Sequence, residues 1–317
     1  MSARDARSLA QFRAETDDRG RFLRQASRFR DRVTADGSSG FPAAPGRYHL
    51  YVSYACPWAH RAIIVRRLKR LETVIPMSVV DPVRDERGWA FRRGDGHGPD
   101  LAEGFAFLAE AYTSTDPDWE GRVTVPVLWD TETGRIVNNE SADVIRMLNS
   151  EFDEWGDPSV DLYPEDLRER IDEVNDLVYR NVNNGVYRAG FATTQEAYEE
   201  AFDALFATLD ELDRRLADSR YLAGDRVTEA DWRLFTTMVR FDAVYACHFK
   251  CNLRRIVDYP SLWPYVRELY QWPGVAETVR MDHIKRHYYL THERLNPSRV
   301  VPLGPLVDWD APHDRAR

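Results

Sequence analysis

The sequence predicts a two-domain protein in which an α/β domain precedes an all-helical domain. Its 317 residues are enough for two domains of ordinary size. Residues 47–80 show the pattern of a strand, a helix and a second strand, which together make a βαβ unit with a parallel sheet. After Pro164 the apolar residues recur mainly with helical spacing, which predicts a domain without strands.

The first domain is predicted to follow the order βαβ, insertion, ββα. Residues 48–52 are aromatic and β-branched, which favours a strand. Residues 81–121 are rich in Gly, Asp and Arg, and an insertion of this length is uncommon unless it is functional or partly structured. The other predicted elements are a helix at 58–71, a strand at 73–80, a hairpin at 123–130 and 135–137, and a helix at 141–148.

The second domain is predicted to contain five helices, at 167–182, 195–216, 229–244, 262–270 and 276–289. Thr228 and Asp231 match a capping box, with Asp in place of the usual Glu or Gln. The expected organisation is an N-terminal arm at 1–46, a first domain at 47–155, a helical domain at 160–290 and a tail at 291–317. We expect the arm to run over the surface, partly ordered by Phe22, Phe29 and Phe41.

Composition and charge argue against several classes of protein. The net charge of -9 and the absence of a basic run give nucleic-acid binding no electrostatic support. No run of about 18 apolar residues predicts a membrane-spanning helix, and the charged N-terminus lacks the apolar region of a secretory signal. Three cysteines are too few for a disulfide framework, so we expect a reducing, cytoplasmic location.

Cys56 is the candidate nucleophile. It follows the first predicted strand and directly precedes Pro57 at the start of a helix. A helix N-terminus carries about half a positive charge and unpaired N–H groups, and both favour a thiolate. Pro57 suits the first helical turn because it has no N–H to leave unpaired, and His60 and Arg61 add positive potential. A buried structural cysteine is the alternative, but the order strand, Cys-Pro, helix favours a reactive thiol.

The residue type at position 59 limits the mechanism. Ala59 stands where a C-x-x-C motif would have its second cysteine, which excludes a dithiol mechanism. A monothiol enzyme instead forms a mixed disulfide with a small thiol, and a second molecule of that thiol releases it.

Val125-Pro126 is predicted to contain a cis peptide bond. Proline inside a central strand is disfavoured, and a proline before a hairpin, beside a Cys-Pro helix, suggests the cis-proline of thioredoxin-like folds. This geometry would turn the Val125 backbone toward Cys56, ready to pair with a peptide-like thiol.

Glu140 and Ser141 open the next predicted helix. Its N-terminus can hold a carboxylate through backbone N–H groups and the Ser141 hydroxyl. Glu140 can pair with an ammonium group, and a γ-glutamyl moiety has both groups. The alternative is that Ser141 is only a helix cap.

Cys247 and Cys251 are a weaker candidate for a metal site. Their i, i+4 spacing would put both sulfurs on one helix face beside His248. Zinc sites prefer C-x₂₋₄-C with a second ligand pair elsewhere, and no such pair is evident. His283 and His287 are also at i, i+4 but lack the H-E-x-x-H pattern. We therefore expect no metal, and interpret the cysteines as small buried side chains.

Several motifs resemble those of a known family. Three are Tyr-Ala-Cys-Pro-Trp-Ala-His-Arg at 54–61, Val-Pro-Val at 125–127 and Asn-Glu-Ser at 139–141. Three more are Asp-Glu-Arg-Gly-Trp-Ala-Phe at 85–91, Asn-Asn-Gly-Val-Tyr at 183–187, and His-Tyr-Tyr at 287–289 leading to Asn296-Pro297. The first three resemble the glutathione transferase superfamily. Together the six resemble its Xi class, the glutathionyl-hydroquinone reductases, from about residue 47 to 305.

The resemblance implies a glutathione transferase architecture: a thioredoxin-like N-terminal domain, an all-α C-terminal domain and a homodimer formed through the latter. It implies reductive removal of glutathione from a glutathionyl-hydroquinone, with Cys56 as the nucleophile. The residues implied to hold the thiol cofactor are Trp89, Arg122, Val125, Glu140 and Ser141. Tyr187 and Tyr288 are implied to bind the ring hydroxyl of the substrate, with Tyr289 in place of Tyr288 as the alternative.

The chemistry agrees with these roles. When the Cys56 thiolate attacks the cofactor sulfur, the leaving group is an aromatic ring carbon. Its negative charge must spread to a phenolic oxygen, and two tyrosine hydroxyls donating to that oxygen would stabilise it as an oxyanion hole does. A proton then returns to the ring from tyrosine or water.

Other functions on the same fold stay open. An omega-like thioltransferase or dehydroascorbate reductase shares the Cys-Pro helix but lacks the insertion with Trp89 and the Tyr187/Tyr288 pair. A ligand-binding or scaffold protein without activity is disfavoured by Cys56. For any one tyrosine, core packing is the alternative, and Trp89 could instead anchor its loop. The thiol is glutathione or a relative such as mycothiol or γ-glutamylcysteine.

Overall fold

The computed structural model describes residues 15–315, which divide into two compact units. Among the described residues, the first unit contains Gln25–Asp161 and Asp282–His292. The second contains residues 15–24, Leu162–Met281 and residues 293–315. The parts of the predicted arm and tail at 1–14 and 316–317 lie outside the described residues.

A four-stranded mixed sheet forms the centre of the first unit. Its strands are β1 (Tyr48–Val52), β2 (Met77–Val79), β3 (Val127–Asp130) and β4 (Arg135–Asn138), in the spatial order β2-β1-β3-β4. β1 is parallel to β2 and antiparallel to β3, which is antiparallel to β4. This arrangement, βαβ followed by a ββα unit, confirms the predicted thioredoxin-like fold of the first domain.

Three helices accompany the sheet: α1 (Pro57–Leu68), α2 (Ala109–Thr115) and α3 (Ser141–Ser150). α1 follows β1 closely and packs against α3, so the chain enters both helices from strands of the same sheet. α2 lies within the long insertion, which is therefore partly structured, as predicted.

β2 is shorter than the predicted strand at 73–80. Arg66 on α1 donates from Nε to the Ile75 carbonyl at 2.6 Å and from a terminal nitrogen to the Glu72 carbonyl at 2.9 Å. Residues 72–75 therefore form a turn around this guanidinium, and strand pairing begins only at Met77.

The second unit is helical, as predicted. Its α-helices are α4 (Arg168–Val178), α5 (Gly185–Gly190), α6 (Gln195–Asp218), α7 (Glu229–Arg240), α8 (Ala246–His248) and α9 (Leu262–Tyr270). Short 3₁₀-helices lie at Glu165–Leu167, Ile256–Asp258 and Ala276–Thr278. No helix of the described residues is long and apolar enough to cross a membrane.

Two predicted helices are interrupted by π-helical turns, at Tyr179–Asn183 after α4 and at Phe241–Tyr245 after α7. The first turn brings the buried Asn183 side chain against α7. Its amide donates to the Arg233 carbonyl at 2.9 Å and to the Thr237 hydroxyl at 2.7 Å. These bonds join distant parts of the chain. Helical periodicity is a local pattern and cannot detect them, so it predicts continuous helices.

The last helix, α10 (Met281–Thr291), differs from the prediction in its start and its grouping. It begins at Met281 instead of residue 276, and from Asp282 onward it belongs to the first unit. His283 and His287 hydrogen-bond through ring nitrogens to the carbonyls of Asp95 and Pro82, each at 2.7 Å. These bonds tie the helix to the insertion, so the boundary expected at residue 290 does not coincide with the division into units.

The predicted capping box at the start of α7 is present. Asp231 is fully buried, and its Oδ2 accepts hydrogen bonds from the Thr228 backbone N–H at 2.8 Å and from its hydroxyl at 3.1 Å. Oδ1 accepts from the Leu222 N–H and the Tyr265 hydroxyl, both at 2.9 Å. One carboxylate thus joins three segments of the helical unit.

Asp231→Ala is expected to lower the free energy of unfolding by about 3 kcal/mol or more. Each buried donor left without an acceptor costs about 1–3 kcal/mol, and this change removes the acceptor of several. Urea denaturation measures the loss. The matched control is Asp225→Ala, at an exposed position just before the same helix, where about 0.5 kcal/mol or less is expected. Equal losses in the two variants would contradict the structural role of Asp231.

Candidate active site

Cys56 is the last residue before α1, and Pro57 occupies the first turn, as predicted. The Cys56 N–H donates to the Ser53 carbonyl at 3.1 Å, and the Cys56 carbonyl accepts from the His60 N–H at 3.0 Å. The backbone is therefore fixed on both sides, with the half-buried thiol at the N-terminal end of the helix. Position and partial exposure both suit a nucleophile that meets a small molecule.

Val125 lies against this thiol. The Val125-Pro126 peptide bond is cis, which confirms the prediction. Cys56 Sγ is 3.5 Å from the Val125 carbonyl oxygen, so the backbone just before β3 meets the sulfur. Val125 is itself buried.

Arg61 connects the first turns of α1 and α3. Its guanidinium is almost fully buried, lies 4.5 Å from the centre of the Trp58 ring, and donates to the Ser141 hydroxyl at 3.3 Å. A buried positive charge thus lies at the N-terminus of α3, where backbone N–H groups also point. The combination suits an anionic group of a ligand.

Glu140 caps α3, and donors fix its carboxylate. Oε1 accepts from the Ala142 N–H at 3.2 Å, and Oε2 accepts from the Ser27 hydroxyl at 2.9 Å. The N-cap of α3 is therefore Glu140, and not Ser141 as in the alternative interpretation of that serine. Ser27 was not among the predicted site residues, since a lone serine in a polar arm gives no signal for this contact.

Trp89 and Arg122 also belong to the first unit. Trp89 is buried, stacks on His287 with ring centres 5.0 Å apart, and has the Arg84 guanidinium 5.1 Å from its ring centre. Arg122 is half-buried, and its N–H donates to the Gln25 side chain at 3.0 Å. Trp89 thus anchors the insertion to α10.

Tyr288 and Tyr289 lie on α10 in the first unit, and both are buried. The Tyr288 ring packs edge-on against His287 at 5.2 Å and against His292 at 5.4 Å. Because His287 also stacks on Trp89, Tyr288 and Trp89 share one neighbour.

Tyr187 lies on α5 in the second unit and is half-buried. Its ring packs edge-on against Phe249 at 5.5 Å and near Phe22 at 6.5 Å, and the Arg24 guanidinium lies 4.8 Å from its centre. Arg24 is held in turn by Asn184, which accepts from its Nε at 2.8 Å. The Asn-Asn-Gly-Val-Tyr motif therefore orders the surroundings of Tyr187.

The expectation for Cys247 and Cys251 was partly wrong. Cys251 is buried as predicted, and burial raises the pKa of its thiol to about 12, but Cys247 is exposed. The two do not share a helix face, because α8 ends at His248 and Lys250 adopts a left-handed backbone with φ 59°. Burial also lowers the pKa of His248 to about 4, so it is neutral near pH 7.

Cys56 is expected to react with iodoacetamide faster than the other two cysteines at about pH 6, because its half-buried thiol lies at a helix N-terminus, where unpaired N–H groups stabilise negative charge on the attacking sulfur. Cys251 should react slowest, since it is buried and its thiol pKa is about 12. Mass spectrometry of the three cysteine peptides over time gives the rates. A Cys247 rate equal to that of Cys56 would remove the support for Cys56 as nucleophile.

Comparison with known families agrees with this geometry. The N-terminal domain profile of glutathione S-transferases matches residues 55–151, and the C-terminal domain profile matches residues 195–268. The chain belongs to the glutathione transferase family. The first match begins beside Cys56 and extends through α3, so it contains the predicted thiol site.

Within the glutathione transferases, the chain is similar to glutathionyl-hydroquinone reductases. It is 51% identical to YqjG of Escherichia coli over 93% of this chain and 92% of the other. It is 53% identical to PcpF of Sphingobium chlorophenolicum over 90% of each chain. Both relatives are named glutathionyl-hydroquinone reductases.

Solved structures of glutathione transferases agree with these sequence similarities. A Xi-class enzyme from Natrialba magadii superposes with a TM-score of 0.90 and 55% identity, covering 92% of this chain and 89% of that one. The glutathione-bound structure of YqjG superposes with a TM-score of 0.89 and 50% identity, covering 91% and 96%. These similarities confirm the Xi-class resemblance predicted from the motifs.

Proposed function

We propose that the chain is a glutathionyl-hydroquinone reductase, which removes glutathione from aromatic thioethers through a mixed disulfide at Cys56. The main support is the geometry of Cys56, a half-buried thiol at a helix N-terminus with its sulfur 3.5 Å from the Val125 carbonyl. That thiol occurs in a chain 51% identical to a reductase of this name over 93% of its length.

Glutathione is the proposed cofactor. Its cysteinyl backbone would pair with Val125 so that its sulfur meets Cys56. The γ-glutamyl carboxylate would bind at the N-terminus of α3, near Ser141 and the Arg61 guanidinium that contacts it. Its ammonium group would pair with Glu140. Trp89 and Arg122 are proposed to complete the site, on the basis of the motif resemblance alone.

The proposed reaction has two steps. The Cys56 thiolate attacks the glutathione sulfur of the thioether, forming an S–S bond while the bond from sulfur to the ring carbon breaks. The electron pair passes to the ring and a proton replaces the sulfur, which releases the hydroquinone. A second glutathione thiolate then attacks the mixed disulfide, giving glutathione disulfide and the Cys56 thiolate.

Tyr187 and Tyr288 are proposed to donate hydrogen bonds to the phenolic oxygen that takes up the charge. Arg24 supports the role of Tyr187, because a cation over the ring withdraws charge from the phenol and strengthens its hydroxyl as a donor. Tyr288 is supported by the motif resemblance and by its contact with His287, which also packs on Trp89.

The test is to incubate the purified chain with glutathione and a synthetic glutathionyl-hydroquinone. Hydroquinone and glutathione disulfide are expected in equal amounts. The omega-like alternative predicts instead that dehydroascorbate is reduced faster than the thioether, and that result would overturn the proposal. A chain inert toward both substrates would favour the ligand-binding alternative.

A cytoplasmic homodimer that joins through the helical domain is proposed from the same resemblance, supported by the small number of cysteines. Light scattering in solution tests the assembly, and a monomeric mass would contradict it.

A further inference from the structure

Ser27, in the segment before β1, contacts the residue proposed to bind the amino group of the cofactor. Its hydroxyl lies 2.9 Å from Glu140 Oε2 and 3.3 Å from the Asn139 carbonyl oxygen. Ser27 is half-buried, and 113 residues separate it from Glu140 along the chain. The shorter contact joins the hydroxyl to a carboxylate, and a hydrogen bond to a charged acceptor is the stronger kind.

The surrounding segment, residues 25–29, is held in place at both ends. Phe29 donates its N–H to the Asn139 side chain at 3.3 Å and accepts from the Asn139 N–H at 3.1 Å. The Phe29 ring stacks on Trp119 with ring centres 5.0 Å apart. At the other end, the Gln25 side chain accepts from the Arg122 N–H at 3.0 Å. The position of Ser27 therefore follows from the fold and not from its own contact with Glu140.

The Glu140 carboxylate receives hydrogen bonds on both oxygens. Oε1 accepts from the Ala142 N–H at 3.2 Å and lies 3.5 Å from the Ser141 hydroxyl, whereas Oε2 faces Ser27. A carboxylate held in this way has little rotational freedom left to lose when an ammonium group binds. Without Ser27, Oε2 would lose the donor that fixes its side of the group.

We propose that Ser27 is a positioning residue of the cofactor site, which orients the Glu140 carboxylate toward the ammonium group of a γ-glutamyl thiol. The inference rests on the proposed role of Glu140. Glutathione and γ-glutamylcysteine carry this ammonium group, whereas a thiol with an acylated amino nitrogen, such as mycothiol, does not. The segment before β1 therefore helps the site to select γ-glutamyl thiols over thiols whose amino nitrogen is acylated.

Calorimetric titration of the full chain with S-methylglutathione tests the inference, because this probe cannot form a disulfide with Cys56. Ser27→Ala is expected to raise the dissociation constant about five- to tenfold, roughly the cost of ordering one side chain on binding, because the Glu140 carboxylate is then no longer fixed in advance. Ser27→Thr, which keeps the hydroxyl, should restore most of the affinity. The matched control is Ser38→Ala, an exposed serine of the same arm, which should bind like the parent chain.

A second probe, the deamino analogue of S-methylglutathione, separates positioning from a structural role. It lacks the ammonium group, so Ser27→Ala should leave its affinity unchanged. Equal losses for both probes, or no loss for either, would overturn the inference. The proposed function is tested separately by turnover of the glutathionyl-hydroquinone. If the parent chain binds S-methylglutathione but does not turn over the thioether, the proposed function is wrong. The role of Ser27 is then still decided by the binding measurements. If the parent chain does not bind the probe, the inference fails with the cofactor assignment.

Discussion

Cys56→Ser is expected to abolish reductive cleavage of a glutathionyl-hydroquinone, with a loss of at least about a thousandfold in turnover. A serine hydroxyl at this position stays protonated near neutral pH and cannot form a mixed disulfide, so both steps of the proposed reaction are lost. Release of hydroquinone under excess glutathione is the measurement. The helix N-terminus and the Val125 carbonyl remain, so binding of S-methylglutathione should persist.

The matched control is Cys247→Ser, since Cys247 is exposed and lies in the second unit. Its turnover should equal that of the parent chain. Full turnover in Cys56→Ser would rule out the monothiol mechanism. Loss of S-methylglutathione binding in Cys56→Ser would instead indicate that the substitution disturbs the site itself.

Tyr187→Phe and Tyr288→Phe are each expected to slow release of the hydroquinone by about 10²–10³, the effect of removing one donor to a developing oxyanion in comparable sites. Neither tyrosine is among the residues proposed to hold the thiol, so these changes should leave formation of the Cys56 mixed disulfide from glutathione disulfide intact. Single-turnover measurements of the two half-reactions give both rates.

Tyr289→Phe is the control for the α10 pair, because Tyr289 is the neighbouring buried tyrosine. If Tyr289→Phe slows release of the hydroquinone and Tyr288→Phe does not, the hydrogen-bond donor is Tyr289. Equal losses in both half-reactions would mean that the tyrosines only support the fold. No loss in any variant would place the aromatic substrate elsewhere, and the omega-like function would then be favoured.

The polar segment that precedes β1 contacts one residue with a proposed role in each unit. Phe22 and Arg24 pack on Tyr187 within the second unit, whereas Ser27 bonds to Glu140 within the first. The arm, expected to run over the surface and to be partly ordered by Phe22, Phe29 and Phe41, thus contacts Glu140 within the first unit and Tyr187 within the second.

Features that depend on neighbouring residues could be predicted from the amino-acid sequence. The strand, Cys56-Pro57 and helix follow one another within a few positions, and the Thr228–Asp231 capping box spans a single helical turn. Val125-Pro126 before a hairpin, taken together with the Cys56-Pro57 helix, predicted the cis bond. Such signals are local, because backbone preferences and helix ends are set by residues within about one turn of each other.

Features that join distant residues became evident in the folded structure. Ser27 meets Glu140 across 113 positions, and His287 meets the Pro82 carbonyl across 205, which brings α10 into the first unit. The π-helical turn at Tyr179–Asn183 likewise depends on bonds from Asn183 to α7. The physical reason is that hydrophobic periodicity records which face of an element is buried, but not which partner covers it.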